Sequence, residues 1–398
     1  MSSPSHSLKQ ALISTTLVQV LATAIALALT PIAPRAAHDF GIDPHYIGFQ
    51  ISLIYCAGAF ASAASGTLIH RHGAVAMEVL SLALFGGGLL LLATARLPLG
   101  MLGSVLIGVG YGLQNPASSQ LLNQACPPEK RSVVFSIKQA GVPLGALLAS
   151  LALPWLDGLI GWRLALVIGA IGPVALILHI LRAHRHEAHR RRPGGAFLPG
   201  LIEEQRLVSR EPRLRVLALL GLLYSAVQLS LSAYIVLMLV DNRGWPLVSA
   251  AAMGGLLQGF GALGRVFWGW LADRTRAGLA ILALIGLGSS AALVALPLLG
   301  ALPAALQGVL LCALGFFLSG WNGVAMAEIA RSAPLAQTGR VMGGALVYTF
   351  LGVMLGPASF AFLYEALGRY DSTFAAVALA TTLGALAAAW RHLAERHA

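Results

Sequence analysis

The chain runs through about twelve long apolar stretches separated by short polar breaks, and this rhythm limits what it can become. A hydrocarbon core about 30 Å thick takes roughly 20 apolar residues per helix. Such stretches fall near 11–34, 45–69, 75–95, 99–124, 132–156 and 162–182, and again near 213–240, 248–272, 277–299, 303–327, 341–365 and 371–391. A water-soluble helical protein alternates apolar and charged faces every turn. Here Leu80–Ala95 and Ala277–Leu299 carry almost no charge on any face. Charged residues make up 10% of the chain, against roughly 25% in soluble domains. Segments of alternating polarity about 10 residues long, the mark of an outer-membrane barrel, do not occur.

The net charge of +11 invites a nucleic-acid reading, but the placement of the charges removes it. With the amino terminus on the cytoplasmic side, 19 Lys and Arg fall at cytoplasmic span ends and loops. Five (Arg35, Arg96, Arg163, Arg243 and Arg369) fall on the other side, and Lys138 and Arg265 lie inside spans. This is the bias of the positive-inside rule, and it places both termini in the cytoplasm of a bacterial inner-membrane protein. Cys56, Cys126 and Cys312 show no metal-ligand spacing and read as small apolar residues. The long apolar run near the amino terminus, followed by further spans, reads as a retained first helix rather than a signal peptide.

The middle of the chain, residues 183–212, is polar and basic, with the run His189–Arg192. It reads as a linker between an N-terminal bundle, 1–182, and a C-terminal bundle, 213–398. Its part Leu198–Arg213 is amphipathic and is expected to lie along the membrane surface. The bundles look like copies of one six-helix unit. Gly66 and Gly269 are 203 residues apart, Gly108 and Gly315 207, Asn115 and Asn322 207, and Arg131 and Arg340 209. Repeats of this kind recur in secondary transporters, with the substrate site at the repeat interface. The expected fold is all-α, with twelve transmembrane helices in two pseudo-symmetric six-helix bundles.

Two segments carry a family resemblance. Gly66-Thr-Leu-Ile-His-Arg-His-Gly73 and Gly269-Trp-Leu-Ala-Asp273-Arg274-Thr-Arg276 resemble the loops after helices 2 and 8 of the major facilitator superfamily. Gly141-Val-Pro143-Leu-Gly145 resembles the family's Gly/Pro motif on helix 5, and Gly356-Pro357 echoes it on helix 11. The resemblance implies that Gly66, His70, Arg71, Gly269, Asp273 and Arg274 latch helix ends on the cytoplasmic side. His70 stands where the family has Asp, so the first latch is expected to be weaker or pH-sensitive. The segment Arg265-x-x-x-Gly269 also resembles helix 8 of monocarboxylate transporters and oxalate/formate antiporters, where the Arg meets the substrate carboxylate.

Lys138 and Arg265 are the strong ionisable residues well inside spans, while every Asp and Glu falls at a span end or in a loop. A charge at mid-bilayer costs several kcal/mol and is normally paired or functional. Two buried cations therefore ask for an anionic partner, and a guanidinium fork grips a carboxylate through two hydrogen bonds. Arg265 lies eight residues before Asp273, about 12 Å from the span end at 1.5 Å per residue. Two roles stay open for it: substrate contact, or bonding backbone carbonyls to close the gate. Lys138 either meets substrate or snorkels to the surface. Further pocket candidates are Tyr55, Tyr111, Asn115, Gln139, Tyr224, Gln228, Gln258, Trp321, Asn322 and Tyr348. Each on its own also fits a helix–helix hydrogen bond.

No P-loop, dinucleotide fingerprint, metalloprotease motif or nucleophile elbow occurs, so neither ATP hydrolysis nor covalent catalysis is expected. No cofactor or metal is expected either. The reading is a monomeric secondary transporter that moves a small organic anion, with protons or a counter-substrate as its energy source. The alternatives are efflux of apolar or cationic compounds, and a transport-inactive receptor.

Overall fold

The computed structural model describes residues 4–42, 47–183 and 197–396. The basic run of the linker, including His189–Arg192, lies outside them. Twelve long helical segments follow the twelve apolar stretches. The first six are α1 (Pro4–Ala26), α2 (Ile47–His72), α3 (Ala74–Leu92), α4 (Leu97–Ala125), α5 (Arg131–Ile160) and α6 (Trp162–Gly169 with Ile171–Ala183). The second six are α7 (Pro212–Leu237), α8 (Leu247–Thr275), α9 (Gly278–Ala295), α10 (Ala304–Leu318 with Trp321–Arg331), α11 (Thr338–Leu367) and α12 (Tyr370–Arg396). Eleven of these stretches are long and apolar enough to cross a membrane among the described residues. The remaining one, α8, is 29 residues long but is diluted by glycines, Gln258 and Arg265. Phe60, Trp155, Phe362 and Trp390 are 66–76% exposed, as expected where lipid rather than water is the neighbour.

The chain forms two compact units that exchange short pieces. The first holds residues up to Pro127, Gly141–Val208 and Ala333–Val347; the second holds Pro128–Ala140, Ser209–Ser332 and the rest. The start of α5 therefore packs with the second six helices, and the start of α11 with the first six.

Within the units, matching helix pairs make matching contacts. In the first, α2 packs on α4; in the second, α8 packs on α10. A methyl group on Gly108 would overlap the Ile54 carbonyl, and one on Gly315 would overlap the Leu257 carbonyl. The 207-residue repeat thus conserves the points at which two backbones touch, which small residues alone allow. The helix ends away from the linker are tied by arginines. Arg163 donates to the carbonyls of Ala93 and Thr94, and Arg243 to those of Leu296 and Pro297. These carbonyls lie just past the ends of α3 and α9.

The linker departs from the sequence expectation. Its helix, Phe197–Arg210, does not merely lie on a surface; Glu204 and Val208 are fully buried against the first unit. Glu204 and Val208 are one turn apart and so share the docking face.

Candidate functional site

Proline and a helix break explain how Arg265 is held. Pro143 has no N–H, so the carbonyl four residues earlier, Gln139, has no partner within α5. The gap at Ser319–Gly320, between the two pieces of α10, likewise frees carbonyls. Arg265 donates to both Gln139 O and Ser319 O, the latter at 3.1 Å, and is 2% exposed. Trp268, three residues on, donates to Phe316 O at 3.1 Å. The guanidinium therefore satisfies backbone at two deliberate interruptions, one in α5 and one in α10. Lys138, next to Gln139 in sequence, is fully buried in the same unit. Gln139 lies against the Met326 sulfur.

The other candidates divide between the units. In the first, Tyr111 reaches the Thr23 hydroxyl at 3.5 Å, Tyr55 packs edge-on against Tyr111 with ring centres 5.8 Å apart, and Asn115 is buried. In the second, Gln228 accepts from the Trp321 indole at 2.9 Å, and Tyr224 packs edge-on against the same indole. The Tyr224 hydroxyl donates to Leu282 O at 3.1 Å, which makes this tyrosine an anchor to α9. Gln258 donates to Ser232 at 3.0 Å, while Asn322 and Tyr348 are half-buried. The Asn322 amide oxygen is buried without a partner. A cavity of about 360 Å³ in the first unit, between Phe40, Leu53 and Met101, is almost wholly apolar, and none of these candidates lines it.

The latch residues form two separate constellations. In the second unit Asp273 accepts from the backbone N–H groups of Ser132 and Val133, at 2.9 and 2.8 Å, and from Arg331 at 2.7 Å. It thereby caps the first turn of α5, where helix N–H groups lack partners and negative charge is favoured. A methyl group on Gly269 would overlap the Ser136 side chain. Arg274 is not the partner of Asp273; it is exposed over the Trp270 ring at 5.7 Å. Arg331 also pairs with Glu328, which in turn pairs with Arg213.

In the first unit His70 and Arg71 are exposed, and His70 takes no part in a capping bond. The first turn of α11 is held instead by Gln120, whose amide oxygen accepts from Gly339 N at 2.6 Å. Asn123 donates to Thr338 at 2.8 Å, and Ser62 donates to the Gly343 carbonyl at 3.1 Å. Gly66 lies against the Arg340 backbone.

The sequence reading missed Gln120, Asn123, Arg331 and Glu204. It placed every Asp and Glu at a span end or in a loop, and there Glu78, Glu204 and Glu328 are each at most 1% exposed. Glu78 takes the Ser118 hydroxyl at 2.7 Å. Among the described residues no three His, Cys, Asp or Glu side chains gather as a metal site.

Comparison with known proteins sets this arrangement in a family. The chain is 29% identical over 340 residues to a 3-(3-hydroxy-phenyl)propionate transporter of Escherichia coli, covering 81% of this chain and 78% of that one. It is 27% identical over 151 residues to a 4-hydroxybenzoate transporter of Acinetobacter baylyi, covering 38% of this chain and only 33% of that relative's length. Its backbone superposes on the crystal structure of the human organic anion transporter MFSD10 with a TM-score of 0.76 at 16% identity, over 96% of this chain and 99% of that one. The model of the Major Facilitator Superfamily matches residues 15–345, and the chain, a multi-pass membrane protein, belongs to that superfamily.

Proposed function

We propose that this protein is a secondary transporter that moves a small organic anion, a carboxylate on a hydroxylated aromatic ring, by alternating access. The observation that carries the reading is the pair of buried cations, Lys138 and Arg265, in one compact unit. Arg265 is bonded to neutral carbonyls. A carboxylate is a stronger acceptor for a guanidinium than a carbonyl and takes both arms of the fork. An entering anion thus has a reason to displace those bonds, and the displacement loosens the start of α5 from α8 and α10. The 3-(3-hydroxy-phenyl)propionate and 4-hydroxybenzoate transporters support the substrate class. Tyr224 and Trp321, in the same unit as Arg265, offer aromatic surface. The charge bias supports a bacterial inner-membrane location with the linker and both termini cytoplasmic. The acting unit is the monomer.

Counterflow in proteoliposomes tests this, with 4-hydroxybenzoate, an aliphatic monocarboxylate and a lipophilic cation side by side. The aromatic acid is expected to be carried best. Arg265→Lys keeps the charge and loses the fork, so it should weaken that transport strongly, and Arg265→Ala should abolish it, in line with roughly 2–5 kcal/mol for truncating one partner of a buried charge pair. Transport of the cation alone, or wild-type rates in Arg265→Ala, would overturn the reading in favour of efflux.

A further inference from the structure

Glu204 is the most unusual ionisable group outside the spans. Its carboxylate is fully buried where the linker helix docks on α2 and α11. One oxygen takes a hydrogen bond from the Thr67 hydroxyl at 3.3 Å; the other, buried, has no partner. From α2 it faces Gly66 and Thr67, and from α11 Gly343, all uncharged. The charge that acts on it is Arg340 of α11, and the Arg340 guanidinium is committed to the neighbouring Glu203 at 2.8 Å. Gly66 leaves room for the carboxyl, because a methyl group there would overlap it. Gln205 donates to the Gly344 carbonyl at 3.3 Å, and Val208 packs beneath, so the helix is held by neutral contacts around one acid.

An acid so poorly compensated is easier to bury as COOH than as COO⁻. Burial raises its pKa from an ordinary 4.5 to about 8, against the opposing pull of Arg340, the Thr67 hydroxyl and the backbone N–H groups of Thr67 and Gly66.

We propose that Glu204 is a proton-binding site that controls docking of the linker helix: the helix docks with Glu204 protonated and leaves when Glu204 ionises. The proton comes from water on the linker side as the O–H bond forms on docking, and returns there on release. Since the start of α11 is held partly by this helix, proton release loosens that end of α11 from α2. This inference is independent of the substrate, so its failure would leave the organic-anion reading standing.

The sign follows from linkage. The docked form binds the proton more tightly, so docking is pH-independent below about 4.5, weakens as pH rises through the window to about 8, and levels off above it. Between pH 6 and pH 8.5 those two values give a fall in the docking constant of roughly 70-fold. Hydrogen–deuterium exchange of residues 197–210, in the full-length protein without substrate and corrected for intrinsic rates, reads this directly. Wild type should lose protection between pH 6 and 8.5. Glu204→Gln, which cannot ionise, should show no such loss. Should Glu204→Gln fail to dock at either pH, Thr67→Val decides: removing the donor to the ionised form should move the midpoint upward. Unchanged wild-type protection across this range, a full pH response in Glu204→Gln, or an unmoved midpoint in Thr67→Val would each overturn the proposal.

Discussion

The two latches do the same job with different chemistry. Each holds the first turn of a long helix, α5 in the second unit and α11 in the first. At α5 the holder is a carboxylate: Asp273 accepts two backbone N–H groups and Arg331. At α11 the holders are amides, with Gln120 on Gly339 N and Asn123 on Thr338, and the acid enters from the linker as Glu204. A charged cap interacts with the helix dipole and makes bonds about twice as strong as neutral ones. The α5 latch is therefore the tighter, and the α11 latch the one a proton or a single substitution releases. The two latches occupy matching places in the repeat, and with His70 where the second copy has Asp273 the work at α11 falls to neighbouring amides.

The largest expected asymmetry comes from truncating each holder. Asp273→Ala strands two N–H groups and Arg331, so it should weaken the α5 latch by roughly 3 kcal/mol, about a hundredfold in its equilibrium. Gln120→Ala loses one neutral hydrogen bond, worth about 1 kcal/mol, or about fivefold. Hydrogen exchange of peptides 131–136 and 339–344 measures each latch separately. Equal effects would end the claim that the two differ in strength.

The glycines should rank the other way. A methyl group at Gly66 meets the backbone of Arg340, which cannot rotate aside, as well as the Glu204 carboxyl. At Gly269 the Ser136 side chain comes first, and the Ser132 carbonyl, at 2.7 Å, is farther off than the Arg340 backbone is at Gly66. Overpacking costs typically 1–3 kcal/mol. Gly66→Ala should fall in the upper part of that range and free the start of α11, with Gly269→Ala nearer the lower end. The same exchange measurement applies, and a milder effect at Gly66 would show that the α11 contact yields easily.

Much of this was legible in the sequence, and the reasons differ by residue. The helices were visible because lipid imposes long uncharged runs, and the glycine offsets because backbone contact tolerates little else. The carbonyl that Arg265 meets was legible too, since Pro143 frees the carbonyl four residues before it. The Ser319 carbonyl was not, because Ser319–Gly320 breaks α10 without a proline. The resemblance put Arg274 with Asp273 in one latch, but neighbours along a helix do not face each other, and the partner of Asp273 is Arg331 of α10. Glu204 was hidden for another reason. An acid in a basic linker looks solvated, and only its one-turn spacing from Val208 hints at a buried face.

The smallest expected effect is also the sharpest test of how the latches diverged. His70 lies at the repeat position of Asp273 yet caps nothing. The preceding residue, Ile69, is the nearest side chain to Gly339 in the first turn of α11. His70→Asp therefore returns a carboxylate to the end of α2 beside a helix N-terminus. Such a charge contributes about 0.3–1 kcal/mol when partly exposed, and less in high salt. Protection of peptide 339–344 should rise two- to five-fold at low ionic strength, and the gain should shrink in 1 M salt. In a Gln120→Ala background the same substitution should recover most of what was lost, because both groups compete for the same N–H donors. If His70→Asp changes nothing in either background, the end of α2 does not reach the start of α11, and the amides of Gln120 and Asn123 hold that latch unaided.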